Sequence, residues 1–418
     1  MKSDIVISGG GMVGSALACA LGQSGAFSSI KLVSASKKPE PPSSAYPDPK
    51  VLTITSTSQK FMRSIGTWDL LDQTRTVGFN NMKIWDFFGT GSMDFEESFG
   101  WFVEKNWVAH ANLKKAMELD SVEVLTETNI RNLRKQDGSV MIQLENGEDI
   151  EASLVVGADG KNSLVRNSFG ISTWKWEYPY HGLLCTVQSE FPLLEPSQKY
   201  LKSGPIALLP LWENYTAVVW SASPSEILRL KKLEKPKFIK ELNSALSSEN
   251  QSEFPSYSTV SPPTFSEVVS ERSNFPYLMQ HSTSFTDQGV ALVGGAAHTV
   301  HPMSGQGFNL GVYDVMNLAN VLIEASKNGK EPGDANTLMA YGWRARMYSS
   351  LLAAFEQSVL WAYWDLQPLH YARNLQYAII DAIPPLKRAV EEGVSGKYFV
   401  PSEWLWTTHI PEDEKPNN

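Results

Sequence analysis

A chain of 418 residues with 42 % hydrophobic and 19 % charged content is long enough for two or three folded domains and has too much apolar material for a disordered chain. Its net charge of -9 argues against a nucleic-acid surface, which needs clustered Lys and Arg against the phosphates. Two cysteines, Cys19 and Cys185, give no disulfide framework and no metal set, and no uninterrupted apolar run reaches membrane-spanning length.

Ile5-Val6-Ile7 reads as the first strand, so no targeting peptide is expected ahead of it in the chain. Ser8-Gly9-Gly10-Gly11-Met12-Val13-Gly14 and a helix over 15–23 follow. Gly9, Gly11 and Gly14 spell GxGxxG between strand and helix, the context the motif needs. The first glycine makes the turn, the second admits a pyrophosphate, and the third lets helix and strand approach. A purely structural glycine turn is the competing reading. The next strand, 30–33, ends in Ser34 where an acidic residue would hold an adenosine ribose. A Pro/Ser-rich loop over 37–49 leads to Lys50, the apolar run from Val51 to Ile54, and a helix over 56–65. Residues 82–86 alternate as a strand, 108–117 are helical, and 122–125 begin a meander with a hairpin turn at Glu145-Asn146-Gly147-Glu148.

An apolar strand over 154–157 then runs into Ala158-Asp159-Gly160-Lys161-Asn162-Ser163, with Asn162 and Ser163 placed to cap a helix. Taken alone, Asp159 is more simply a turn residue bonding its own backbone than a ligand contact. Residues 178–223 read as β, 228–246 as a Lys-rich helical segment with a solvated face, and 247–264 as a loop. Val290 to Gly311 holds a buried strand, the compact turn Gly294-Gly295-Ala296-Ala297, Pro302, and Gly305-Gln306-Gly307 ahead of a helix from Phe308. Unpaired N–H groups at such a helix start suit an electron-rich or anionic ligand edge. Glycine used only for tight packing is the plainer alternative. His298 and His301, three apart with no carboxylate or Cys partner in sequence, do not read as a metal site. Helices are expected to about 326, over 336–352, and in the Trp- and Tyr-rich stretch beyond, with 411–418 a polar, disordered tail. Over 351–383 the apolar face serves core packing or an oligomer contact in the simpler reading, and peripheral membrane contact in the other.

GGGMVG at the N-terminus, GADGKNSLVR in the middle and GGAAHTVHPMSGQGFNLG late, in that order and spacing, resemble the class A flavoprotein monooxygenases. His301-Pro302 with Gly305 to Gly311 is similar to the ubiquinone-biosynthesis ring hydroxylases. Ser203 to Leu211 (SGPIALLPL) with Val219-Trp220-Ser221 resembles their eukaryotic mitochondrial branch, and the resemblance runs over about residues 4–390. It implies an α/β, para-hydroxybenzoate-hydroxylase-like fold. A discontinuous Rossmann-like FAD-binding domain would comprise 1–80, 104–176 and 272–330, a mixed β-sheet substrate domain 81–103 and 177–271, and a helical C-terminal region 331–410. The implied activity is FAD-dependent hydroxylation of the ring of a polyprenylated phenol or benzoate in ubiquinone biosynthesis, through a flavin C4a-hydroperoxide. Oxygen would be the co-substrate and ferredoxin or NAD(P)H the electron source. Other coenzyme Q biosynthesis proteins would be partners, on the matrix side of the mitochondrial inner membrane.

By the same resemblance no acid or base residue is required, because the cofactor carries the chemistry. Pro302 would lie over the isoalloxazine, and His301 would either face the flavin rim or be a packed histidine. Cofactor contacts would come from Gly9, Gly11, Met12, Val13, Gly14, Ser34, Lys50, Asp159, Gly160, Gly295, Gly305, Gln306, Gly307 and Asn309. Trp220, Met303 and Phe308 are substrate-facing on position alone. Three positions depart from the family: Gly295 replaces an Asp that bonds a ribityl hydroxyl, Ser34 replaces the ribose carboxylate, and Lys50 replaces an Arg, keeping charge without the planar fork. Each lost charge-assisted bond is worth roughly 1.5–3 kcal/mol, so two would weaken FAD binding about a hundredfold or more. Two other readings follow: a non-catalytic scaffold or lipid-binding subunit with weak or no FAD binding, and a nicotinamide-linked dehydrogenase. Against the dehydrogenase stand the Gly305-Gln306-Gly307 turn and the lack of a second GxGxxG.

Overall fold

The computed structural model describes residues 2–86, 92–248, 263–302, 305–362, 383, 385 and 400–412. Among these, two sheets organise the chain. The eight-stranded sheet runs Thr286–Asp287, Val290–Leu292, Asp149–Gly157, Lys2–Ser8, Ile30–Val33, Val122–Leu125, with a hairpin of Ile130–Gln136 and Ser139–Leu144 attached to Asp149–Gly157. Its central pairings are parallel. Parallel strands carry cover on both faces, and Ile5, Val6, Ile7, Leu154, Val155 and Val156 are all fully buried. The helices Met12–Gln23, Lys105–Ala116 and Gly307–Lys327 pack together in this core.

The first helix starts at Met12, earlier than the sequence pattern suggests, so Gly14 lies inside its first turn. A Cβ there would stand 2.0 Å from Gly9 O, which is why glycine is required despite its low helix propensity.

The ten-stranded sheet is mixed and is centred on the long strand Thr173–Ser189. It includes Val51–Thr55 and Ser273–Ser282, which lie in segments expected to be FAD-binding. Two helices, Pro224–Lys232 and Lys235–Ser247, cover one face where one helical segment is expected. The break falls at Leu233 and Glu234, both extended, because Pro236 has no N–H to give and its ring would strike the carbonyl of Lys232 in a continuous helix.

At the C-terminal end, Ala335–Ala362 is longer than the expected 336–352 and packs on Gly307–Lys327. Trp406 returns to the first core, edge-on to Phe61 at 5.6 Å, its Nε1 donating to Ser64 Oγ. Of the loop expected over 247–264, Ser247 instead ends the helix Lys235–Ser247, and 249–262 lie outside the described residues, as do the aromatic stretch 363–382, Met303 and the last six residues of the expected tail.

Candidate flavin site

Strands Val290–Leu292, Asp149–Gly157, Lys2–Ser8 and Ile30–Val33 are neighbours in that order, and their last residues are level: Leu292 with Gly157, Gly157 with Ser8, Ser8 with Val33. The turns that follow therefore stand side by side, beginning at Val293-Gly294, Ala158, Gly9 and Ser34 respectively. At about 4.8 Å per strand this row is roughly 15 Å long, the reach of an elongated dinucleotide across strand carboxyl ends.

The turns interlock. Val13 is a knob between two glycines: a Cβ at Gly294 would lie 3.2 Å from its methyls and one at Gly311 2.7 Å. Arg166, nearly fully buried, donates Nη1 to Ala296 O at 3.0 Å and Nη2 to Lys161 O at 2.8 Å, tying the second turn to the third. Burial lowers its pKa from the usual range, partly opposed by the charge of Asp159. Ser163 Oγ accepts from Arg166 N–H and caps the helix Leu164–Ser168. The Asp159 carboxylate bonds its own turn, Oδ2 accepting from Leu164 N–H at 2.7 Å, while Oδ1 is buried with no partner among the described residues.

Asp314, which the sequence pattern did not single out, underlies the third turn. Its Oδ2 accepts from Gly294 N–H at 2.8 Å and from His298 Nε2 at 2.6 Å. Among the described residues no group of three or more His, Cys, Asp or Glu could hold a metal ion.

Other expected contacts are placed as follows. Gly11 is the N-cap of Met12–Gln23 and Gln306 that of Gly307–Lys327; neither helix has a side-chain cap or an acidic residue in its first turn. Gly11, Gly160 and Gly307 each face open space where a Cβ would project. Gly305 (φ +63°) lies against Thr53, its N–H donating to Pro302 O. Gln306 Oε1 is buried without a partner among the described residues. Two uncapped helix starts, three open glycine faces and two orphaned acceptors in one neighbourhood fit a ligand with both anionic and N–H-bearing edges, as FAD is.

Three more of the expected residues make contacts within the chain. The Asn309 side chain is consumed by the fold, Nδ2 donating to Thr53 O and Oδ1 accepting from Thr55 N–H, so only its backbone is left to meet a cofactor. The Ser34 hydroxyl accepts from Ser36 N–H and its Cβ lies where a side chain on Gly10 would be. Lys50 is exposed, and its backbone N–H donates to Asp48 Oδ1.

The second sheet supplies an aromatic wall. Ser221 and Trp220 are adjacent in Tyr215–Ala222 and so point to opposite faces. Trp220, expected to face substrate, instead packs with Phe238 in the core beneath the two covering helices. Ser221 faces the other way and bonds the Tyr277 hydroxyl at 2.6 Å. Gly182 leaves room for Tyr277, whose hydroxyl would lie 2.7 Å from a Cβ there. His301 packs edge-on to Tyr277 and Tyr178, with ring centroids 4.8 and 4.7 Å away, and burial lowers its pKa to about 4. Burial raises both tyrosines to about 12. This wall is neutral across the physiological range. Phe308 is buried in the first core.

A parallel sheet with three converging glycine turns beside a mixed sheet is the build of a flavoprotein monooxygenase. A family model described as "FAD binding domain" matches residues 2–348. "Ubiquinone biosynthesis monooxygenase COQ6, mitochondrial" of Xenopus tropicalis is 32 % identical over 431 residues, covering 93 % of this chain and 92 % of the relative. "3-demethoxyubiquinol 3-hydroxylase" of Escherichia coli K12 is 32 % identical over 396 residues, covering 92 % and 96 %. In fold, p-nitrophenol 4-monooxygenase PnpA of Pseudomonas putida DLL-E4 matches with a TM-score of 0.72 at 17 % identity, over 94 % of this chain and 98 % of PnpA. The chain belongs to the family of FAD-binding ubiquinone-biosynthesis monooxygenases.

The glycine at 295 has a structural counterpart. A Cβ there would come 3.1 Å from Gly160 Cα and 3.4 Å from Lys161 N, so the second and third turns have closed over the space a side chain would take. Gly295→Asp is therefore expected to lower stability by about 1–2 kcal/mol without tightening FAD. Thermal melting and FAD titration of the variant test this. A tenfold gain in affinity at unchanged Tm would show that the turn has room.

Proposed function

We propose that the protein hydroxylates the aromatic ring of a polyprenylated phenol or benzoate in ubiquinone biosynthesis, the pathway named for its relatives. The observation that carries this reading is the level row of turns set beside a neutral, hydroxyl-bearing aromatic wall. When bound and reduced, FAD would supply the two electrons that activate O2, of which one atom goes to the ring and the other leaves as water. The chain's part is to bind, orient and exclude water. The first-turn amides of Met12–Gln23 receive the pyrophosphate, while Gln306 and the amides from Gly307 meet the electron-rich edge of the flavin ring. Asp159 Oδ1, buried without a partner among the described residues, would accept from a hydroxyl or N–H of the cofactor. Pro302 and His301 would meet the cofactor from the side of the aromatic wall, and the Tyr277 and Ser221 hydroxyls, bonded to each other, would face a substrate phenol.

The same reading assigns 1–80, 104–176 and 272–330 to FAD binding, 81–103 and 177–271 to substrate, and 331–410 to a helical region. Electrons come from a ferredoxin-type protein or NAD(P)H, other coenzyme Q proteins are partners, and the location is the matrix side of the mitochondrial inner membrane.

The test is the visible spectrum of freshly purified protein, with FAD titration if it is colourless. Reductant, O2 and a polyprenylated phenol are then added and the product is read by mass. A product heavier by one oxygen, with saturable FAD binding, is expected. No saturable FAD binding, or reoxidation without hydroxylated product across such phenols, overturns the proposal.

A further inference from the structure

Thr53 puts a hydroxyl into an apolar neighbourhood beside the flavin site. The edge strand Val51–Thr55 pairs with Ser92–Glu104, and its side chains alternate between two faces. Leu52 and Ile54 pack on the first core, while Val51 joins a separate cluster of Phe79, Phe102, Leu211, Tyr215 and Ala217. Thr53 is directly opposite Phe102 and takes the side of Val51. Tyr215, Ala217 and Ser221 share one face of Tyr215–Ala222. Thr53 therefore belongs to the same inner face of the ten-stranded sheet as the bonded Ser221–Tyr277 pair.

The strand is stitched to the start of Gly307–Lys327. Asn309 Nδ2 donates to Thr53 O at 3.0 Å, and Thr55 N–H donates to Asn309 Oδ1 at 3.2 Å. These two bonds hold the Thr53 side chain against Gly305, where a Cβ would lie 2.9 Å from Thr53 Oγ1 and 3.3 Å from Thr53 Cβ. Gly305 stands two residues before Gly307, the amide proposed to meet the electron-rich edge of the flavin. The hydroxyl finds nothing in the chain itself: Gly305 N–H is bonded to Pro302 O, and no hydrogen bond among the described residues uses Thr53 Oγ1. The residue is half-buried, so water can serve it while the face is open. Once a ligand covers the face and excludes water, an unpaired hydroxyl carries a desolvation penalty unless the ligand accepts its proton. The flavin ring edge offers nitrogen and carbonyl acceptors and becomes more negative on reduction, and a hydrogen bond to a charged acceptor is the stronger one. Resting on the FAD binding proposed above, we infer that Thr53 Oγ1 donates a hydrogen bond to the ring edge of bound flavin and favours its reduced form.

Thr53→Val removes the hydroxyl at nearly constant shape, and Thr53→Ser keeps it. The parent and both full-length variants are titrated with FAD, their visible spectra are recorded, and the two-electron midpoint potential is measured against reference dyes. Thr53→Val should bind oxidised FAD about threefold, and reduced FAD about thirtyfold, more weakly than the parent. That tenfold ratio lowers the midpoint by about 30 mV, and the flavin bands shift as well. Thr53→Ser should return potential and spectrum to those of the parent. The melting temperature of the cofactor-free protein should be the same in all three, so that the change is read at the cofactor and not in the fold. A Thr53→Val protein with parental affinity, potential and spectrum overturns the inference and leaves FAD binding standing. So does a Thr53→Ser protein that behaves like Thr53→Val, since the methyl group and not the hydroxyl would then matter. A parent that takes up no FAD overturns the proposed function and this contact together.

Discussion

Asp314→Ala should cost about 3–5 kcal/mol of folding stability and leave the protein unable to retain FAD. The carboxylate is 1 % exposed and His298 3 %, so neither has water to fall back on. One oxygen holds two donors, Gly294 N–H and His298 Nε2, on either side of the turn at the end of Val290–Leu292. Gly294 sits at φ +54°, a conformation held by that bond and by its packing on Val13. Without the acid, a buried imidazole and a buried amide lose their acceptor together, and a donor left unpaired in the interior pays its full desolvation penalty. The Val13 contact then loosens, and with it the first turn. Glu226→Ala is the matched control. Its carboxylate pairs with the half-exposed Arg229, which Glu241 also holds, and an exposed pair contributes at most about 1 kcal/mol. Urea unfolding and FAD titration read both variants. A loss below about 1 kcal/mol for Asp314→Ala, with FAD binding intact, would show that the turn is held by its backbone alone.

What could be read from the sequence was whatever local pattern decides. Ile30–Val33 and Val122–Leu125 fall where their apolar runs place them, and the three glycine turns are legible because each follows a short apolar strand. The level alignment of those turns was not legible, because it depends on the order and register of strands far apart in the chain. Asp314 was hidden for a related reason. It lies 16 residues beyond His298 inside an apolar helix, and only the fold brings the two together. The missing family acid at 295 drew attention to the turn, while the acid that anchors the turn sits beneath it. Trp220 shows how sharp strand parity is: its place in the chain alone suggests a substrate-facing residue, yet a step of one residue from Ser221 moves its side chain to the other face. Pro236 is a legible helix-break signal inside the 228–246 segment, and the structure breaks the helix just before it.

Between pH 7 and pH 4.5 the protein should lose stability steeply, and His301 should account for much of the loss. Burial lowers its pKa from 6.5 to about 4. In the unfolded chain the imidazole takes up its proton near pH 6.5, while in the folded protein it does so only near pH 4. Throughout that window the unfolded state binds more protons, so stability falls as pH falls. The difference approaches about 3 kcal/mol for a shift of this size at full burial. His281 adds in the same direction, lowered to about 4 chiefly by burial and further by His298. The carboxylates work lower down. Glu226, Glu241 and Asp287 are lowered from 4.5, 4.5 and 3.8, so their contribution is complete above those values and is lost only as pH falls below them. Urea midpoints at pH 7, 6, 5 and 4.5 for the parent and for His301→Gln separate the histidine share. The variant should start less stable, having lost its ring contacts with Tyr178 and Tyr277, but should lose less on acidification. Parallel curves for the two proteins would mean that His301 titrates in the folded state as it does in water. The ring would then not be the closed, neutral edge of the aromatic wall, and the region around Tyr178 and Tyr277 would admit water to the place where a flavoprotein monooxygenase must keep it out.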